Sequence, residues 1–378
     1  MKKKTGVRVL VCPDKFKGTL DARAAADAIR KGWLDVRAED SVELLPISDG
    51  GDGFGDLLGG HLRAHRIRTQ TVDAALRGCQ TDWWWEPRSR TAIVESARTI
   101  GLAMLPRGEF HPFELDTRGL AAVLRAVARR KPRRCIVGVG GSATNDGGFG
   151  LARGLGWCFR DEEGRPVETW PELIRARNVE PPVCPLGLGE LIVAVDVQNP
   201  LLGSLGASRV YGPQKGLREE DFARAEAALK ALARVMRRFH AKDYSRVRGA
   251  GAAGGLGFGL MAFCDAQLER GFTLFSRTVE LEKRVRSVDL VITGEGSVDR
   301  SSFMGKGVGM LVVMCRAYGV QCLGIGGRVI DGMGSKFTAS VGLTQFAPES
   351  ETMRRSGHWL RYAAGELARQ WVCGERRT

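Results

Sequence analysis

The run VRVLVC at residues 7–12 decides the fold class. It is valine-rich, apolar and too short for a helix, so it reads as a buried strand, and Pro13-Asp14 stops it with a turn. Residues 21–34 follow with alanine-rich helical periodicity behind Asp21, a side chain suited to accept the free amides of a helix start. A second strand pattern at residues 42–47 runs into Asp49-Gly50-Gly51-Asp52-Gly53 and another helix. This alternation predicts a parallel α/β sheet with ligand-binding loops at the carboxyl ends of its strands.

Further along, residues 69–95 change to short strands that include Trp83-Trp84-Trp85, where core packing is expected. A helix near 120–130, strands at 134–139 and 191–195, and a long helix at 219–239 occupy the middle. Strand–loop–helix units return at 289–293, leading into Gly294-Glu295-Gly296, and at 320–325; a last amphipathic helix covers 351–372. The first and last thirds therefore read alike. The expectation is a discontinuous domain from residues 1–75 and 286–378, with a second α/β domain, 76–285, inserted between its halves.

Of 378 residues, 50 are glycine, about twice the usual ~7 %. The net charge of +14 comes mostly from scattered arginine, 44 residues against 13 lysines, which reads as solvated surface and not as a nucleic-acid footprint. Nine cysteines without a C-x-x-C pair suggest reduced thiols and a cytoplasmic setting. No run of 18 apolar residues is present, and five histidines without metal-site spacing argue against a zinc enzyme.

The glycines cluster at 49–55, 138–150, 249–259, 294–299 and 324–327, each beside Ser, Thr, Asn, Asp or Lys or following a strand pattern. Glycine allows backbone amides to approach an anion closely, so several such loops point to phosphate chemistry. Gly305-Lys306-Gly307 excludes a P-loop. Gly138-x-Gly140-x-x-Ala143 does fit the dinucleotide pattern, which keeps an NAD(P)-dependent hydroxy-acid dehydrogenase as the rival. That rival leaves the other glycine loops and their acids, Asp14, Asp49, Asp52, Asp146, Asp196, Glu295 and Asp299, without a task. Phosphoryl transfer needs acids for Mg²⁺ and for a base, and cations for the phosphates. In a chain biased toward arginine, Lys15, Lys17, Lys215 and Lys306 all stand in loops beside Gly, Pro or Asp, where a compact ammonium suits a phosphate.

The segments CPDKFKGTL (12–20), LPISDGGDGFGDLL (45–58), IVGVGGSATNDGGFGLARGLG (136–156), VDVQNPLLGSLGASRVYGPQKG (195–216), GAGAAGGLGFGLMAF (249–263) and LVITGEGSVDRSSFMGKG (290–307) together resemble the bacterial glycerate kinases unrelated to P-loop and ribokinase-type enzymes. The resemblance implies ATP- and Mg²⁺-dependent phosphorylation of D-glycerate, usually to 2-phosphoglycerate. It also implies two α/β domains, one flavodoxin- or Rossmann-like and built from both chain ends, with the active site in the cleft. Asp196, Asp299 and Lys306 are the expected catalytic residues, with Asp196 and Asp299 sharing the roles of base and Mg²⁺ ligand without assignment. Lys15, Lys17, Asp49, Gly50, Gly51, Asp52, Gly140, Gly141, Ser142, Thr144, Asn145, Asp146, Lys215, Gly294, Glu295 and Gly296 are expected at the substrate and phosphates. Thr117-Arg118-Gly119-Leu120-Ala121 departs from the family's usual Ser/Thr-Tyr-Gly-Thr-Gly run, and the residues around Asp299 depart too, which leaves a related hydroxy or sugar acid open as substrate. Product regiochemistry and a homodimer are also left open.

Overall fold

The structure is a computed structural model and describes residues 6–371. The apolar run forms the strand Arg8–Pro13, an inner strand of a five-stranded parallel sheet centered on Leu290–Val298. Across that sheet the order is Ala339–Gly342, Gln321–Val329, Leu290–Val298, Arg8–Pro13, Ser41–Leu44. With the residues between Ser41–Leu44 and Leu290–Val298 set aside, this is the doubly wound flavodoxin order 2-1-3-4-5. Val9 and Val11 point to one face, where they meet Ala25, Ala26, Ile29 and Trp33 of the helix Ala22–Leu34 in one buried cluster with Leu360, Ala363 and Leu367. Each large aliphatic side chain buried there contributes roughly 1.5–3 kcal/mol. Asp21 caps the helix as expected, accepting from the Ala24 amide at 2.8 Å.

A second sheet orders Gln267–Arg270, Glu190–Val195, Arg134–Gly138, Thr91–Glu95, Gly78–Glu86 and His65–Val72, the first four parallel and the last two antiparallel. Cys158–Arg160 and Asn178–Glu180 form a small antiparallel pair. Trp83 and Trp85 are buried in this unit's core, and Trp84 packs beneath Gly55 and Gly59 of the helix Phe54–His61, so the tryptophans are packing residues.

The chain divides into two compact units, Met1–Asp49 with Phe275–Thr378, and Gly50–Leu274. The crossings thus fall earlier than 75/76 and 285/286. Residues 65–72 are the edge strand of the second sheet, paired with Gly78–Glu86, and so belong to the insertion. The helix Leu281–Arg286 belongs with the chain ends, its Arg284 pairing with Glu43. Two further differences concern single elements. Residues 294–298 are not a loop but the continuation of the strand Leu290–Val298, because Gly294, Glu295 and Ser297 stay in register with Ile325, Gly326 and Arg328. The terminal helix is broken at Arg355 into Glu349–Arg354 and Ser356–Gln370, and residue 372 lies outside the described residues. Cys12, Cys135 and Cys322 are free and buried, as their apolar runs suggested. Among the described residues no helix is long and apolar enough to cross a membrane.

Candidate active site

In the unit made of both chain ends, the connections leave the strands Arg8–Pro13 and Leu290–Val298 in opposite directions across the sheet: one goes by the helix Ala22–Leu34 to Ser41–Leu44, the other by Gly307–Ala317 to Gln321–Val329. A ligand crevice opens at the carboxyl ends of strands at such a switch point. Asp14 directly follows the first strand, and its amide donates to the Gly294 carbonyl at 2.8 Å. Residues 45–47 run on beside the same strand, Ile47 donating to the Pro13 carbonyl at 2.9 Å, and so deliver Asp49. Burial, with the charges of Asp49 and Glu295, pushes the Asp14 carboxyl up to about 7, against the neighboring Lys15. The Glu295 carboxyl is raised as well, chiefly by burial. Its Oε1 is buried without a hydrogen-bond partner.

Asp299 is of another kind. It accepts from the Ser301 amide at 2.7 Å and pairs with Ser302 in a capping box. Its hydrogen bonds, that of the Ser301 side chain foremost and then those of the two amides, hold it below the usual carboxylate range. That turn presents Lys306, whose ammonium lies 3.0 Å from the Ser301 hydroxyl and is otherwise exposed. Lys17 is exposed, and its backbone lies against Gly296. Gly294 has a packing duty, since a Cβ there would stand 2.0 Å from the Ile325 carbonyl oxygen.

In the Gly50–Leu274 unit, three segments converge at the carboxyl end of the sheet. Gly138 ends one strand beside Ala194 of the next, whose successor Asp196 is exposed. The turn at residues 50–53 lies against the loop at 138–141: a Cβ on Gly140 would come within 2.9 Å of Gly51 Cα, and one on Gly141 within 2.3 Å of Asp52 Oδ1. Ser142 bridges to Gly101, and the following residues are wholly buried. Lys215 is buried too; its ammonium donates to Ser142 Oγ at 3.1 Å and to the Thr144 carbonyl at 2.6 Å. Burial pushes it down to about 7, against the charge of Asp146. Asn145 Nδ2 donates to Ser208 Oγ at 2.8 Å, while Asn145 Oδ1 and Thr144 Oγ1 are buried without partners.

Asp146 has no exposed surface and accepts from Thr117 N (2.9 Å), Thr117 Oγ1 (2.7 Å), Gly148 N (3.1 Å) and Gly150 N (2.9 Å). Burial and the charge of Asp116 push it up to about 6. It therefore serves the start of the helix Phe149–Leu155 from inside the protein. Arg118, from the departing Thr117–Ala121 run, is engaged with Asp116 at 3.2 Å. Asp196 lies beside Tyr211, whose hydroxyl donates to Asn199 Oδ1 at 2.6 Å and is pushed up to about 12 by burial and by Asp196.

The structure thus places Lys15, Asp49, Gly294, Glu295, Gly296, Asp299 and Lys306 in one unit, with Asp14, and Gly50, Gly51, Asp52, Gly140, Gly141, Ser142, Thr144, Asn145, Asp146, Asp196 and Lys215 in the other. Sequence reasoning passed over Thr117, Asp116 and Glu95. The available signal for Glu95 was a carboxylate closing the apolar strand TAIVE. Among the described residues no group of three or more His, Cys, Asp or Glu forms a ready cation cage. The dinucleotide pattern does not open a helix, because the helix begins only at Phe149, and Gly249-x-Gly251-x-x-Gly254 follows the 3₁₀ turn Tyr244–Arg246 and not a strand.

Residues 9–372 match the family described as Glycerate kinase family. The chain is 31 % identical to a protein named glycerate kinase from Halalkalibacterium halodurans, covering 95 % of this chain and 97 % of that one. It is 30 % identical to the glycerate 2-kinase of Escherichia coli K12, over 87 % of each. A crystal structure described as putative glycerate kinase 2 from Salmonella typhimurium LT2 superposes with a TM-score of 0.80 at 29 % identity, covering 97 % of this chain and 98 % of that one.

Proposed function

Since the chain belongs to the glycerate kinase family, we propose that it transfers the γ-phosphoryl group of ATP to a hydroxyl of D-glycerate, giving 2-phosphoglycerate, with Mg²⁺. The observation that carries this is the crowding of carboxylates at the switch point: Asp14 raised to about 7 beside Asp49 and Glu295, with Glu295 Oε1 buried and unpartnered. Like charges gathered this closely fit a divalent cation, and Mg²⁺ commonly takes one or two carboxylates plus water and phosphate oxygens, so no complete protein cage is needed. Asp14 and Glu295 would hold it, with Asp49 adding negative charge nearby, in preference to the Asp196 and Asp299 pair expected from sequence. When bound, Mg²⁺ offsets charge on the phosphates.

The remaining roles fall to side chains. Lys15 and Lys306 supply positive charge for phosphate or carboxylate oxygens. Asp299 shapes the turn that presents Lys306. Asp196, exposed at a strand end, takes the proton of the attacking hydroxyl. Lys215 fixes Ser142 and the 144 carbonyl, and Asp146 holds the loop start.

The test is a coupled assay with purified protein, ATP, Mg²⁺ and D-glycerate. ADP release, with product consumed by enolase alone, supports the proposal. Consumption only after addition of a phosphoglycerate mutase reassigns the product to the 3-phosphate, and absence of ADP refutes the substrate.

A further inference from the structure

We propose that Glu95 is the positioning residue of the glycine turn at residues 50–53. It rests on the proposed phosphoryl transfer only for its kinetic consequence.

Glu95 closes the strand Thr91–Glu95 and is 5 % exposed, an expensive place for a carboxylate unless its oxygens are used. Both are used: Oε1 accepts from the Gly53 amide and Oε2 from the Gly55 amide, each at 2.9 Å. These are the amides of the N-cap residue and of the second residue of the helix Phe54–His61. Its nearest cation, Arg98, stands 3.6 Å away and is itself engaged with Asp56. The carboxylate is therefore committed to the turn.

A helix usually carries its cap on the N-cap residue. Here that residue is Gly53, at φ 88°, a backbone state in which Ser, Thr or Asp is strained. The cap comes instead from a strand 42 residues away. This keeps side chains off the turn apart from Asp52, and ties its position to the sheet. The neighboring loop depends on the same anchor. A Cβ on Gly138 would meet the Gly50 carbonyl oxygen at 2.9 Å and Phe54 Cδ1 at 2.7 Å, so the turn and the 138–141 loop pack directly on each other. Glu95 touches no reacting group; it acts through the turn on the loop that leads to Ser142.

The experiment compares wild type, E95Q and E95D by amide hydrogen exchange over residues 50–57, by circular dichroism, and by steady-state kinetics with ATP and D-glycerate. In E95Q one oxygen becomes an NH₂ facing a peptide N–H, so exchange at Gly53 and Gly55 rises by about tenfold or more. KM for ATP or D-glycerate rises by about fivefold or more with the folded signal unchanged. Unaltered exchange in E95Q overturns the proposal. So does faster exchange with both KM values within about twofold of wild type, or a fall in kcat that only follows lost folded protein. Should E95Q not fold, E95D keeps the charge with a shorter reach, and the same three outcomes apply to it. Absence of glycerate turnover in the wild type refutes the substrate, and the exchange comparison then decides the anchor alone.

Discussion

The ammonium of Lys215 bonds the hydroxyl of Ser142 across 73 residues of sequence, and both residues are buried. This contact makes the 142–146 loop sensitive to whether Lys215 carries a proton. Its folded value is lowered from 10.5 to about 7 by burial. Between those values the unfolded chain holds a proton that the folded one lacks, so stability rises with pH across that window, by at most about 1.4 kcal/mol per unit. K215M removes this term. The stability gap between wild type and K215M should widen in favor of wild type from about pH 7 to about pH 9 in denaturant titrations; a constant gap would show that Lys215 stays charged.

Asp146 should behave as a structural keystone. D146A strips acceptors from Thr117, Gly148 and Gly150 together and should cost about 3 kcal/mol or more. D146N keeps one acceptor oxygen and should cost less. Because its folded value is raised to about 6, the wild-type advantage over D146N declines as pH rises through that value. Urea midpoints at two pH values check both statements.

At the other unit's switch point, E295Q and D14N should raise the Mg²⁺ concentration giving half-maximal ADP release by about tenfold or more. D299N should instead raise KM for ATP by loosening the turn beneath Lys306. Equal Mg²⁺ curves for E295Q and wild type would remove Glu295 from the cation site.

If Asp196 accepts the hydroxyl proton, D196N lowers kcat by about a hundredfold or more with KM little changed. Activity within about threefold of wild type would give the proton another acceptor.

Gly55→Ala tests the packing under the turn. The added methyl would stand 2.0 Å from Trp84 Cζ3, and overpacking of this kind costs about 1–3 kcal/mol. A lower melting temperature together with a shifted tryptophan emission is the expected result.

The switch-point sheet was legible because its strands are apolar runs bounded by turn residues, and the lysines because they stand out in an arginine-rich chain. Gly294-Glu295-Gly296 misled for a physical reason: glycine serves a turn and a close strand approach equally well, and only pairing with Gln321–Val329 distinguishes them. The early domain crossing was hidden by HRIRTQTV, an edge strand whose weak alternation carries little apolar signal. Glu95, Asp116 and Thr117 escaped because their partners lie 42, 2 and 29 residues away, and a short-range neighbor such as Arg118 looks like any surface arginine.

The facing of Gly51 with Gly140, and of Asp52 with Gly141, limits how this enzyme can be remodeled. A side chain added at Gly140 would meet the backbone of Gly51, which no rotamer change can move, whereas one at Gly141 would meet the Asp52 carboxylate. Attempts to retune specificity have more freedom at exposed positions outside the proposed catalytic set than at Gly140, where variants are expected to lose folding before selectivity.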